Sequence, residues 1–187
     1  MTLAPTQWDG KKNILTIFNE QGRIIGTQHK QNPFILEDDH GLSQEDLSAS
    51  NKEILIVHIN GWGRFMFPIC MDYLTHHYRK LMTSVLKATV LLCPSYSPGE
   101  YNFDISINAE SEFEVRSLWI NSCSATAEHP QDYIGLVSLP TSSDNSQRQR
   151  LMPECNASCP KTCLFTVDIP IDNSRQDLGA TIEHIHE

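Results

Sequence analysis

Apolar and polar positions alternate through "NILTIFNEQGRIIGTQHK". Ile14, Thr16 and Phe18 run into Asn19-Glu20-Gln21-Gly22, and Ile24 and Gly26 lead out to Lys30, which predicts a β-hairpin. "EILIVHIN" is rich in β-branched residues and predicts a strand, after which Gly61 and Gly63 mark a turn into "RFMFPIC". Pro68 cannot donate a ladder hydrogen bond, so that strand is expected to be near an edge or irregular there. In "DYLTHHYRKLMTSVLKA" the period changes: Leu74, Tyr78, Leu81, Val85 and Leu86 fall on one helical face. "TVLLCPS" predicts a short strand buried on both faces. "YNFDISINAESEFEVRSLW" returns to helix spacing, "WINSCSA" to strand, and "DYIGLVSLP" and "CLFTVDIPI" predict two more strands. Between them, residues 141 to 160 read as a polar loop. The acidic stretch "QNPFILEDDHGLSQEDLSASNKE" reads as a long loop, and long loops in compact domains are often functional. The resulting order predicts an α/β protein with a sheet covered by helices.

Composition narrows the function classes. The chain has 187 residues, enough for one domain with a real core, and 40% of them are hydrophobic. A net charge of −9 argues against a nucleic-acid partner, which calls for a basic face. No stretch is long and apolar enough to predict a membrane span, and "MTLAPTQWDGKKN" lacks the apolar core of a signal peptide. The six cysteines are therefore expected to be reduced thiols in a cytoplasmic protein.

One of those cysteines sits in a distinctive place. In "GWGRFMFPICMDYL" an apolar run stops at Cys70, and helix-like sequence follows at once. A structural thiol needs no turn after it, whereas a reactive one gains free backbone N–H groups nearby. An isolated cysteine is ordinarily a buried structural thiol. The elbow and the upstream hairpin ending at Lys30 weigh the other way.

These pieces together resemble the nitrilase, or carbon–nitrogen hydrolase, superfamily. The hairpin to Lys30 looks like the strands leading to that family's catalytic lysine, and "GRFMFPICMD" like its nucleophile elbow, with an acid two residues after the cysteine. "ATVLLCPSYS", "AESEFEVRSLWINSCSA", "GLVSLP" and "CLFTVDIPI" resemble its later strands and helix, in the same order. The resemblance implies a domain over residues 13–172, an α-β-β-α sandwich, with a polar tail over 173–187. It implies Cys70 as nucleophile, Lys30 as the cation that stabilises developing negative charge, and the Met71 N–H as oxyanion donor beside Asp72. "KQNPFILE" offers Glu37 for a second glutamate that some branches carry after the lysine. The family's general base lies well upstream of the lysine. Here Glu20 is the sole glutamate ahead of Lys30 and falls in the hairpin turn. The implied domain therefore lacks its opening strand, helix and strand, and with them the base.

The expected chemistry is cleavage of a small amide or nitrile through a Cys70 thioester, with neither metal nor organic cofactor. The alternative is a non-catalytic nitrilase-like binding module or an accessory domain of a larger assembly. The enzyme reading expects a Cys70 pKa below that of an ordinary thiol, raised by Lys30→Met. A homo-oligomer, or completion by another segment, is what the family and the missing opening imply. Cys155, Cys159 and Cys163 lack a Cys-x-x-Cys knuckle and are not expected to bind metal. Adjacent His76 and His77 point apart on a helix and read as surface residues, and Cys93 and Cys123 as core.

Overall fold

The computed structural model describes residues 1–3, 6–38, 41–97, 99, 101–110, 115–122, 125, 133–139, 147–152 and 181–186. The predicted hairpin is present as β3 (Asn13–Phe18) and β4 (Ile24–His29). Two short pieces, β1 (Thr2–Leu3) and β2 (Gln7–Trp8), run antiparallel along the other edge of β3. Within the expected long loop the chain forms a second hairpin, β5 (Ile35–Asp38) and β6 (Gly41–Gln44). Gly41, at φ 112, supplies the left-handed residue that a tight reversal needs.

Among the described residues the main sheet has seven strands. In chain order these are β7 (Glu53–Ile59), β8 (Gly63–Met66), β9 (Val90–Ser95), β10 (Arg116–Asn121), β11 (Gly135–Leu139), β12 (Gln147–Leu151) and β13 (Thr181–His186). Their spatial order is β12-β11-β10-β9-β8-β7-β13. The apolar β9 lies between β8 and β10 and is parallel to both. It is a central strand, as its unbroken hydrophobicity predicted. β8 is also interior, so Pro68 marks an irregular exit rather than an edge.

Three expectations change. The single helix after Cys70 is three pieces: α1 (Met71–Leu74), α2 (His76–Lys80) and a π-helical turn over Leu81–Val85. Thr75 breaks the first from the second with extended backbone, φ −73 and ψ 108, while its hydroxyl donates to the Met71 carbonyl at 2.7 Å. The wider π turn then rotates the buried face, so that Met82 is buried and Val85 exposed. In the next block α3 (Tyr101–Glu110) is followed by a strand starting at Arg116, so Val115 to Trp119 do not continue the helix. Finally, β12 falls in the expected polar loop and β13 in the expected tail. Both are outermost among the described strands, with β13 paired to β7 from Thr181↔His58 to His186↔Glu53. Such strands carry little apolar signal, because an edge can remain polar. The predicted strand "CLFTVDIPI", Cys123 and the three closely spaced cysteines lie outside the described residues.

The layers follow from register. Cross-strand partners share a face, so Trp119, Cys93, Leu91, Met66 and Ile56 face one way, and Leu55 and Val57 the other. On the first face α3 packs through Phe103, whose ring stacks on Trp119 at 4.6 Å between centroids and 15° between planes. Tyr73 and Tyr133 extend this aromatic row. Buried Arg79 joins α1 to α3, donating to the Tyr73 carbonyl at 2.6 Å and the Ser106 hydroxyl at 3.2 Å. On the second face β4 packs against β7, and Gly26 allows the approach: a Cβ there would sit 2.8 Å from a Leu55 methyl. The described residues thus form helices, a large sheet and a small sheet, in that order. Among them no helix is long and apolar enough to cross a membrane.

Candidate active site

Lys30 directly follows β4, and several bonds fix its position. Its N–H donates to the Asn13 carbonyl at 2.9 Å, extending the β3–β4 ladder by one step. Gln28 and Gln31 anchor the same segment to β7. Past Ile56, where β8 no longer accompanies β7, Gln28 Oε1 accepts from Leu55 N–H at 2.8 Å and its Nε2 donates to the Glu53 carbonyl at 3.1 Å. Gln31 Nε2 donates to the carbonyls of His29 and Asn51 at 2.7 and 2.8 Å. Lys30 is 3% exposed, and a buried ammonium requires a partner. That partner is Glu45, at 2.5 Å from Lys30 Nζ to Oε2.

Glu45 is set by the β5–β6 hairpin. The ladder ends at Ile35↔Gln44, and one residue further Glu45 N–H donates to the Phe34 carbonyl at 2.9 Å. In return Phe34 N–H donates to Glu45 Oε2 at 3.0 Å, and Asn13 Nδ2 reaches Oε1 at 3.4 Å. Sequence reading missed Glu45 and named Glu37 instead. Glu37 pairs with Leu42 in the β5–β6 ladder, nearer the hairpin tip. The place of Glu45 opposite Phe34 follows from the β5–β6 register, which the acidic sequence does not reveal.

Cys70 occupies a sharp elbow four residues beyond β8. Its φ of 50° and ψ of −104° form a conformation that side-chain-bearing residues rarely adopt. The surroundings hold it there. Cys70 N–H donates to the Pro94 carbonyl and Tyr73 N–H to the Cys70 carbonyl, each at 3.0 Å. Strain held in this way is typical of functional sites. Asp72 N–H is occupied by the Ile69 carbonyl at 3.1 Å. The Met71 N–H begins α1 and has no acceptor within that helix, which fits the donor role expected of it.

Asp72, expected beside the Met71 donor, is held in the protein interior. It is fully buried and does not line the cavity. Its Oδ1 accepts from Gln31 N–H at 2.9 Å, Asn32 N–H at 2.7 Å and Asn32 Nδ2 at 2.9 Å. Its Oδ2 accepts from Ile69 N–H at 3.1 Å. This carboxylate therefore ties the residues after Lys30 to the residue before Cys70. Burial raises its pKa to about 6, against the opposing pull of the Asn32, Ile69 and Gln31 donors.

Cys70, Lys30 and Glu45 line one cavity of about 590 Å³, with Asn13, Phe34, Ser95 and Tyr96 among its walls. The expected thiolate is a second correction. Burial pushes the Cys70 thiol above its ordinary value, and this outweighs the Lys30 ammonium and the Tyr96 N–H, which both pull it down. The resting site is a neutral thiol beside a lysine–glutamate ion pair. Deprotonating it calls for a base rather than for the lysine alone. Glu20 is exposed at the hairpin turn and takes no part. Cys93 is buried beneath the elbow, as expected of a core residue, and its pKa is raised well above the ordinary value by burial. Among the described residues no cluster of three or more His, Cys, Asp or Glu is arranged to hold a metal. No family model and no curated protein matches the chain.

Proposed function

We propose that the chain is a carbon–nitrogen hydrolase of the nitrilase type that cleaves a small amide or nitrile through Cys70. One observation carries this reading: a strained cysteine, a buried lysine and a carboxylate from three separate segments meet in one cavity. The α-β-β order of layers and the ordered sequence resemblance support it.

In the proposed reaction Glu45 takes the thiol proton as the Cys70 sulfur adds to the amide carbonyl carbon. The oxyanion is stabilised by the Lys30 ammonium and the Met71 N–H. Protonated Glu45 gives its proton to the leaving nitrogen, the C–N bond breaks, and a thioester remains. Water then adds to the thioester carbonyl, losing a proton to Glu45. Collapse expels the sulfur, which takes that proton back, and releases a carboxylic acid. Glu45 thereby replaces the upstream base that the family implies, from a position downstream of the lysine.

A second reading has its own support. Glu45 already pairs with Lys30 and the thiol is neutral at rest, as suits a non-catalytic module that binds an amide. Ammonia release from acetamide, phenylacetamide and benzonitrile, with protein mass spectrometry for the thioester, separates the two. The hydrolase reading expects release and a Cys70 adduct, with Cys70→Ser, Lys30→Met and Glu45→Gln each lowering turnover by about 1,000-fold or more. Neither ammonia nor an adduct from any of the three would leave the binding module.

A further inference from the structure

Three exposed aromatic residues stand beside the reactive groups of the cavity. Trp8 stands directly opposite Asn13, whose carbonyl holds the Lys30 N–H. Phe34 exchanges two hydrogen bonds with Glu45. Tyr96 lies two residues beyond Pro94, whose carbonyl accepts the Cys70 N–H at 3.0 Å. It also lies between two anchored residues: Asn121 Oδ1 accepts from the Ser95 hydroxyl and the Ser97 N–H at 3.0 and 2.9 Å, and its Nδ2 donates to the Ser97 carbonyl at 2.7 Å. All three residues line the cavity, yet Trp8 is 48%, Phe34 37% and Tyr96 66% exposed.

Three large aromatic side chains left open around one cavity mark a surface awaiting an apolar ligand. The charge pattern agrees. Among the described lining residues Lys30 and Glu45 carry the formal charges, and they neutralise each other. Nothing else in that lining would offset a carboxylate or an ammonium on a substrate. The volume of about 590 Å³ far exceeds that of a two-carbon amide and suits a ligand with a ring.

Building on the hydrolase reading, we propose that the site selects uncharged amides or nitriles whose acyl side carries an aryl group, or one of similar size and flatness. The ring lies among Trp8, Phe34 and Tyr96, and the reacting carbon reaches Cys70. The test is equilibrium binding to the Cys70→Ser protein, in which no thioester forms, by ligand-observed NMR with phenylacetamide, acetamide and the succinamate anion. Phenylacetamide is expected to bind at least about tenfold more tightly than either of the others. Trp8→Ala and Phe34→Ala, both at exposed rings, are each expected to remove most of that advantage. Equal or tighter binding of acetamide or succinamate would overturn the proposal, as would an aromatic preference that survives both substitutions. Aryl-selective binding by a protein that releases no ammonia would sink the hydrolase reading alone. Ammonia release without aryl preference would sink this proposal alone.

Discussion

Cys70 pays for its position with backbone strain, and that strain makes a prediction independent of chemistry. At φ 50° and ψ −104° a Cβ is unfavourable, whereas glycine enters this region freely. Cys70→Gly and Cys70→Ala both remove the thiol, but only the first relieves the backbone. Cys70→Gly is expected to be the more stable of the two by about 1 kcal/mol in urea unfolding, despite the entropy that glycine adds to the unfolded chain. Equal stability, or a more stable alanine variant, would mean that the elbow is relaxed. At this scale the sequence was partly legible. The break after Cys70 and the Lys30 position could be read from pattern, because a strand ending and a hairpin ending both leave a periodic signature. Glu45 could not, because its role depends on pairing across a hairpin hidden in acidic sequence. The pKa direction was read wrongly, since burial depends on what packs over the sulfur.

Among the elements, the contact between β4 and α1 decides whether a site exists, and Asp72 makes it. It binds Gln31 and Asn32 on one side and Ile69 on the other. Its carboxyl rises from the ordinary 3.8 to about 6 through burial, so the folded protein holds this proton more tightly than the unfolded chain does. The associated stabilisation is full below pH 4 and is lost as the pH rises through 6. At 1.36 kcal/mol per pKa unit this loss is on the order of 3 kcal/mol. Asp72→Asn keeps an acceptor for the Gln31 and Asn32 N–H groups but turns an amide toward Ile69 N–H, and it does not titrate. Unfolding free energies measured from pH 4 to 7 are therefore expected to fall more steeply in the natural protein than in Asp72→Asn. Parallel curves would contradict the buried, raised carboxyl. The sequence showed an acid two residues after the cysteine and nothing of its four donors, three of which come from the distant Gln31 and Asn32.

For the whole molecule, the order helix, large sheet, small sheet brings the end of the β3–β4 hairpin to the elbow beyond β8. The strands carrying this arrangement were legible because β7, β9 and β11 are strongly apolar, and interior strands advertise themselves that way. The outermost described strands β12 and β13 were not, because polar edges resemble loops. Convergence of Cys70, Lys30 and Glu45 is the central claim, and it has an electrostatic signature that does not require turnover. Lys30 lowers the thiol pKa and Glu45 raises it, within a total dominated by burial. The measurement is the pH dependence of Cys70 alkylation by iodoacetamide, followed peptide by peptide in the natural protein, Lys30→Met and Glu45→Gln. The natural midpoint is expected above that of an ordinary thiol, with a higher one in Lys30→Met and a lower one in Glu45→Gln. Three coincident midpoints would mean that the sulfur, the ammonium and the carboxylate do not share a cavity.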